Sequence, residues 1–133
     1  MRKANYDKFP STKLTGMLVQ GWDIIISMLK EKMDARKVLA VDLYTGVYEE
    51  EVLDAFSKEF SGRVMNVRDL MKPEQEIQTL TERFMTEDVL FGYVTNLKME
   101  DYFDAEKLAV ARQQVSEAKE TIVIIGTGAA MVA

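Results

Sequence analysis

Residues 36–51 read RKVLAVDLYTGVYEEE, and the fold is decided there. Residues 38–41 (VLAV) form a short, unbroken apolar run, the pattern of a parallel strand covered on both faces, so we place this strand near the centre of a sheet. Residues 42–46 make a polar turn, and a helix follows over residues 48–60, with Val52, Leu53, Phe56 and Phe60 on one side and charged residues mostly on the other. A strand that empties into a helix N-terminus is where many α/β proteins bind phosphate, because unpaired N–H groups and the helix dipole both face the anion. The residues needed for that chemistry are incomplete. A phosphate loop of the G-x-x-x-x-G-K-[ST] kind needs several glycines and a lysine, whereas DLYTGV has one glycine and no lysine. Glu49, Glu50 and Glu51 suit the positive helix end and would repel an approaching phosphate.

Toward the N-terminus, residues 1–20 read as an irregular lead-in with Pro10 and Gly16 as breakers, and residues 12–14 could at most add a short edge strand. From Gly21, the spacing of Trp22, Ile25, Ile26, Leu29 and Met33 predicts an amphipathic helix. Trp22 is assigned to the core ahead of ligand stacking, since large aromatics usually serve burial. Toward the C-terminus, Ser61-Gly62 stops the second helix and residues 63–67 (RVMNV) form a second strand. Arg68 and Asp69 sit just past it, where a local ion pair or turn explains them more simply than a ligand does. Lys72-Pro73 opens a helix with Ile77, Leu80 and Phe84 on its apolar stripe. Residues 89–94 (VLFGYV) read as a third strand, interrupted at Gly92. Asp104 is a plausible N-cap for a helix in which Leu108, Ala111, Val115 and Ala118 face inward. Capping and solvation also account for the acidic trio Asp101, Asp104 and Glu106. Residues 121–126 supply a fourth, strongly apolar strand, closed by Gly126-Thr127-Gly128. The sequence thus predicts one three-layer α/β domain with a central, mostly parallel sheet of at least four strands flanked by helices. Because residues 121–133 (TIVIIGTGAAMVA) begin a new apolar element, we expect an N-terminal fragment of a longer protein.

Composition narrows the chemistry. The 133 residues carry 17 Lys plus Arg against 22 Asp plus Glu, a net charge of −5, without the basic footprint of a nucleic-acid binder. There is no cysteine and no histidine, which removes disulfides, thiolate zinc sites, cysteine nucleophiles and the usual proton-transfer residue near neutral pH. No secretory signal and no membrane-spanning run are present, so we expect a cytoplasmic protein with neither nucleic-acid nor membrane partners.

Two partial motifs remain. Gly126-Thr127-Gly128-Ala129-Ala130-Met131 after a strand is similar to the opening of the dinucleotide fingerprint, but Met131 replaces its third small residue; a plain glycine turn at the sheet edge is the simpler reading. Asp42 and Asp69, each just past a strand, could hold a magnesium ion for phosphoryl transfer. Asp42, Tyr44, Thr45 and Gly46, with Asp69 and Gly126, Thr127 and Gly128, therefore make up a candidate degenerate phosphate or nucleotide site. No catalytic or metal-ligating residue is assigned.

Several stretches share one likeness: YDKFP at 6–10, the VDLYTGV turn, LMKPEQEI with TERF behind it, DVLFGYVTNLKMEDYFD at 88–104 and IVIIGTGAA at 122–130. Together they resemble the N-terminal domain of certain bacterial class I mannose-6-phosphate isomerases, in which an α/β domain similar to phosphate-loop nucleoside kinases precedes a zinc-dependent cupin isomerase domain. The resemblance implies an accessory or regulatory domain, non-catalytic by itself, partnered by a C-terminal cupin domain and with a phosphosugar or nucleotide as conceivable ligand. It implies no cofactor in this chain, because the family's zinc ligands lie in the cupin part. The alternatives are a divergent nucleotide or sugar kinase and a protein-interaction module.

Overall fold

The computed structural model describes residues 9–13, 15–33, 38–88 and 90–133. Among the described residues, four α-helices, α1 (Trp22–Lys32), α2 (Glu49–Glu59), α3 (Glu74–Glu82) and α4 (Ala105–Ser116), accompany three strands, β1 (Val38–Asp42), β2 (Arg63–Asn66) and β3 (Ile122–Gly126). The strands form a parallel sheet in the order β1-β3-β2.

That order fixes where the helices go. The β1-to-β2 connection skips one strand position, and the β2-to-β3 connection steps back in the opposite direction. Right-handed crossovers then require the two connections to cover opposite faces. The packing agrees. Val123 and Ile125 of β3 lie with Ile26 of α1 and Val52 and Phe56 of α2. Ile122 and Ile124 lie with Leu108, Ala111 and Val115 of α4. Successive side chains of a strand alternate between faces, so one run of Ile-Val-Ile-Ile serves both halves of the core, and every residue of β3 is buried.

Two expectations are corrected by this arrangement. The central strand is β3 and not β1, whose apolar residues are only half-buried at the sheet edge. Gly126-Thr127-Gly128 therefore ends the middle of the sheet and not its edge. The sheet also has three strands among the described residues, not four. Residues 90–94 are irregular, Leu90, Phe91, Tyr93 and Val94 are largely exposed, and Val89 lies outside the described residues. Here β propensity is overruled by local tethering: the Tyr93 N–H donates to the Phe84 carbonyl at 2.8 Å, and Thr86 Oγ1 donates to the Phe91 carbonyl.

The helix predictions hold more closely. Asp104 accepts from the Glu106 and Lys107 N–H groups at 3.0 and 3.1 Å and so starts α4. Phe56 anchors α2, stacked on Phe60 with ring centres 5.6 Å apart and met edge-on by Trp22 at 6.3 Å. Trp22 itself keeps 42% of its surface exposed, so it covers the core from the rim. Of the predicted lead-in, residues 11–13 form no strand, and Leu14 and residues 1–8 lie outside the described part. No helix among the described residues is long and apolar enough to cross a membrane.

Candidate functional site

In an open parallel sheet, the crevice that receives a ligand lies at the C-terminal ends of two neighbouring strands whose following segments leave for opposite faces. The described chain has one such place. β1 runs on into α2, which packs on the Val123 and Ile125 face. β3 runs into a single 3-10 turn, Ala129–Met131, and Ala129 and Val132 pack on the Ile122 and Ile124 face. Arg112 of α4 ties that turn down, its Nε donating to the Met131 carbonyl at 2.8 Å. The crevice is therefore bounded by Asp42 and Leu43 on one side and by Gly126, Thr127 and Gly128 on the other.

The chain fills this position with its own groups. The Gly128 N–H donates to Asp42 Oδ1 at 2.9 Å, the Thr127 hydroxyl donates to the Leu43 carbonyl at 3.0 Å, and the Leu43 N–H reaches the Gly126 carbonyl at 3.4 Å. A bound phosphate would seek a backbone N–H such as that of Gly128, and here it is held by a carboxylate belonging to the protein. Negative charge already stands where a ligand anion would come.

Packing explains the two glycines. Gly126 has φ 136°, and a Cβ there would lie 2.7 Å from Val67 Cβ; Gly128 has φ 87°, and its Cβ would meet Phe103 Cζ at 3.1 Å and Met99 Cγ at 3.2 Å. Both positions need positive φ and close approach by a neighbouring side chain, which only glycine supplies without strain. The glycine turn is thus built inward, toward the core.

The remaining candidates fall elsewhere. Tyr44, Thr45 and Gly46 form an exposed turn closed by the Val47 N–H on the Tyr44 carbonyl at 3.2 Å, with Gly46 at φ 94°. Tyr44 keeps 85% of its surface exposed and Gly46 has open space around it, so this turn lines no crevice wall. Asp69 sits past β2, in a 3-10 turn over Val67–Leu70. β3 separates β1 from β2, so Asp42 and Asp69 follow strands that are not neighbours.

Sequence reading weighed Arg68 with Asp69 but did not place Lys72 and Lys107 beside them. Arg68, Lys72 and Lys107 border an open cavity of about 590 Å³ together with Asp69, Glu74 and Ile77. Two of the three are engaged by backbone: Lys72 Nζ donates to the Asp101 carbonyl at 2.7 Å and Lys107 Nζ to the Asp69 carbonyl at 3.2 Å. These lysines tie loops together, a use that no local sequence pattern distinguishes from ligand binding. Among the described residues there is no group of three or more acidic, histidine or cysteine side chains placed to hold a metal ion.

Against known proteins, residues 21–133 match the model of a family described as a domain of unknown function, DUF8485. The chain belongs to this family. No curated protein and no solved structure matches it. The family match takes in all four helices, all three strands and the Asp42–Gly128 closure.

Proposed function

We propose that this DUF8485 domain is a non-catalytic accessory domain of a phosphosugar isomerase-like protein, of the kind its sequence resembles at the VDLYTGV turn and over residues 88–104. One observation carries the non-catalytic part: the N–H of Gly128, at the crevice where a doubly wound sheet receives phosphate, is held by Asp42 Oδ1 at 2.9 Å. A phosphorylated ligand would have to displace a carboxylate and accept its repulsion. The donor set also fails to fit the zinc of the isomerase chemistry, which needs histidine where this sequence has none; in this reading zinc and turnover belong to a cupin partner domain.

A second reading, a divergent nucleotide-binding or kinase domain, is favoured by the position of Gly126 and Gly128 at the crevice. Thermal-shift titration separates the two. A ligand present at a hundred times its dissociation constant adds about 2.7 kcal/mol of stability. The accessory reading expects no shift with ATP-magnesium at millimolar concentration and no conversion of mannose 6-phosphate by the purified chain. A saturable ATP-magnesium shift would establish the nucleotide reading in its place, and isomerase turnover would end the non-catalytic claim.

A further inference from the structure

Residues 72–102 leave the sheet after β2 and return before α4. The excursion is pinched at its base, where Met71 and Phe103 form an antiparallel bridge, the Lys72 N–H donates to the Tyr102 carbonyl at 2.9 Å and the Asp104 N–H to the Leu70 carbonyl at 3.0 Å. Met71 and Phe103 belong to the core cluster under α4. Between them, no described residue is buried: α3 buries none of its nine residues, Ile77 and Leu80 included, and Phe84 just past its end is only half-buried. The excursion carries the densest exposed apolar run of the described chain: Leu90, Phe91, Tyr93 and Val94 at 82, 71, 71 and 96% exposure. These residues are β-formers without charge or proline, a composition that natural proteins seldom leave uncovered.

The same molecule presents a place for such a segment. β2 pairs with β3 on one side only, and no described strand lies on its other side. All four β2 residues line a single groove of about 310 Å³, whose opposite wall is α4 with Val110, Ala111 and Gln114. Neighbouring residues of a strand point to opposite faces, so a groove lined by four in a row runs along the strand's free edge. A free strand edge beside a helix, with apolar side chains between them, accepts an extended segment as an added strand. The chain's own residues 90–94 are held away from it by the Tyr93–Phe84 hydrogen bond and by the close approach of Gly92 to the Phe84 carbonyl, 2.6 Å from where a Cβ would stand.

We infer that the occupant is a second copy of this chain: residues 90–94 of each copy add to the free edge of β2 in the other, giving a closed two-fold dimer. The lengths agree, with four residues in β2 facing a five-residue donor. The area is sufficient as well. Phe91 and Tyr93, at roughly 150–250 Å² each when fully covered and 71% exposed here, contribute roughly 400–700 Å² over two copies, and Leu90 and Val94 bring the total to the roughly 1,000 Å² that a specific interface needs. Reciprocal exchange also closes the assembly, so both copies use the same donor and acceptor and no open filament grows.

The test is sedimentation equilibrium of the chain and of two variants, Tyr93→Lys in the donor and Val110→Glu in the acceptor wall, each checked by circular dichroism for retained fold. Both changed side chains are exposed. The unmodified chain should dimerise at sub-millimolar concentration, and each variant should associate at least tenfold more weakly, about 1.4 kcal/mol. An equimolar mixture of the two variants should recover association, because one intact donor then meets one intact acceptor. A monomeric unmodified chain, a dimer unaffected by either change, or a mixture that stays monomeric would each overturn the inference. Hydrogen exchange of the unmodified chain gives a reading independent of the variants: amides of residues 63–66 and 90–94 should gain protection together as concentration rises, and protection that ignores concentration counts against strand addition.

Discussion

Replacing Asp42 by alanine probes the contact on which the functional reading rests. The Asp42 carboxylate accepts the Gly128 N–H at 2.9 Å, and Gly128 is buried against Phe103 and Met99. Removing the acceptor leaves the buried Gly128 amide without its protein partner. A hydrogen bond to a charged group contributes about 1.5–3 kcal/mol; because Asp42 is exposed and its charge is partly screened, the lower part of that range applies, about 1.5–2 kcal/mol. Asp42→Asn keeps an oxygen in position and gives up only the charge assistance, so its cost should stay under about 1 kcal/mol. Urea unfolding measures both. With a slope of about 2 kcal/mol/M, the alanine variant should shift the midpoint by about 1 M at unchanged slope, and the asparagine variant by less than half of that. An alanine variant within about 0.5 kcal/mol of the parent, the range of ordinary surface changes, would refute the reasoning. So would an asparagine variant as damaging as the alanine one.

Other expected outcomes follow from packing. Gly126→Ala places a Cβ 2.7 Å from Val67 Cβ at φ 136°, combining overpacking of about 1–3 kcal/mol with backbone strain of about 1–3 kcal/mol; calorimetry should show a large loss of Tm, and a neutral result would mean that the turn relaxes freely. Phe56→Ala empties a site that is 2% exposed between Trp22 and Phe60 and should cost about 3–5 kcal/mol by denaturant titration. Asp104→Ala frees the Glu106 and Lys107 amides and should cost about 1 kcal/mol, with hydrogen exchange rising first in the opening turn of α4.

The same structural details explain what could be read in the sequence. Helical periodicity and the Asp104 cap are local, so α1 and α2 were legible to within a residue or two, as were the strands at 38–42 and 122–126, and the start of α4 was legible from its cap, while the helix expected to run to about Lys119 stops at Ser116. Strand order is not local. VLAV and IVII have the same apolar signature, and only the return of β3 between β1 and β2 makes the latter central. Residues 90–94 of the strand expected at 89–94 are irregular for a different reason: they favour a strand, but the tether of Tyr93 to Phe84 keeps them off the sheet. The candidate site was half legible. Asp42, Gly126, Thr127 and Gly128 do come together, but the bond that joins them spans 86 residues, and no spacing rule shows that the aspartate faces inward onto the glycine turn. Asp69 was grouped with them because both aspartates follow strands; β3 stands between those strands.

The central claim is that the crevice between β1 and β3 is closed by the chain's own carboxylate. Amide NMR of the isotopically labelled chain, titrated with ATP-magnesium and then with mannose 6-phosphate, tests it most directly. The account predicts that the Gly128 N–H signal, held on Asp42, stays in place throughout both titrations. A saturable movement of the Gly126, Thr127 and Gly128 amides with either ligand would contradict it.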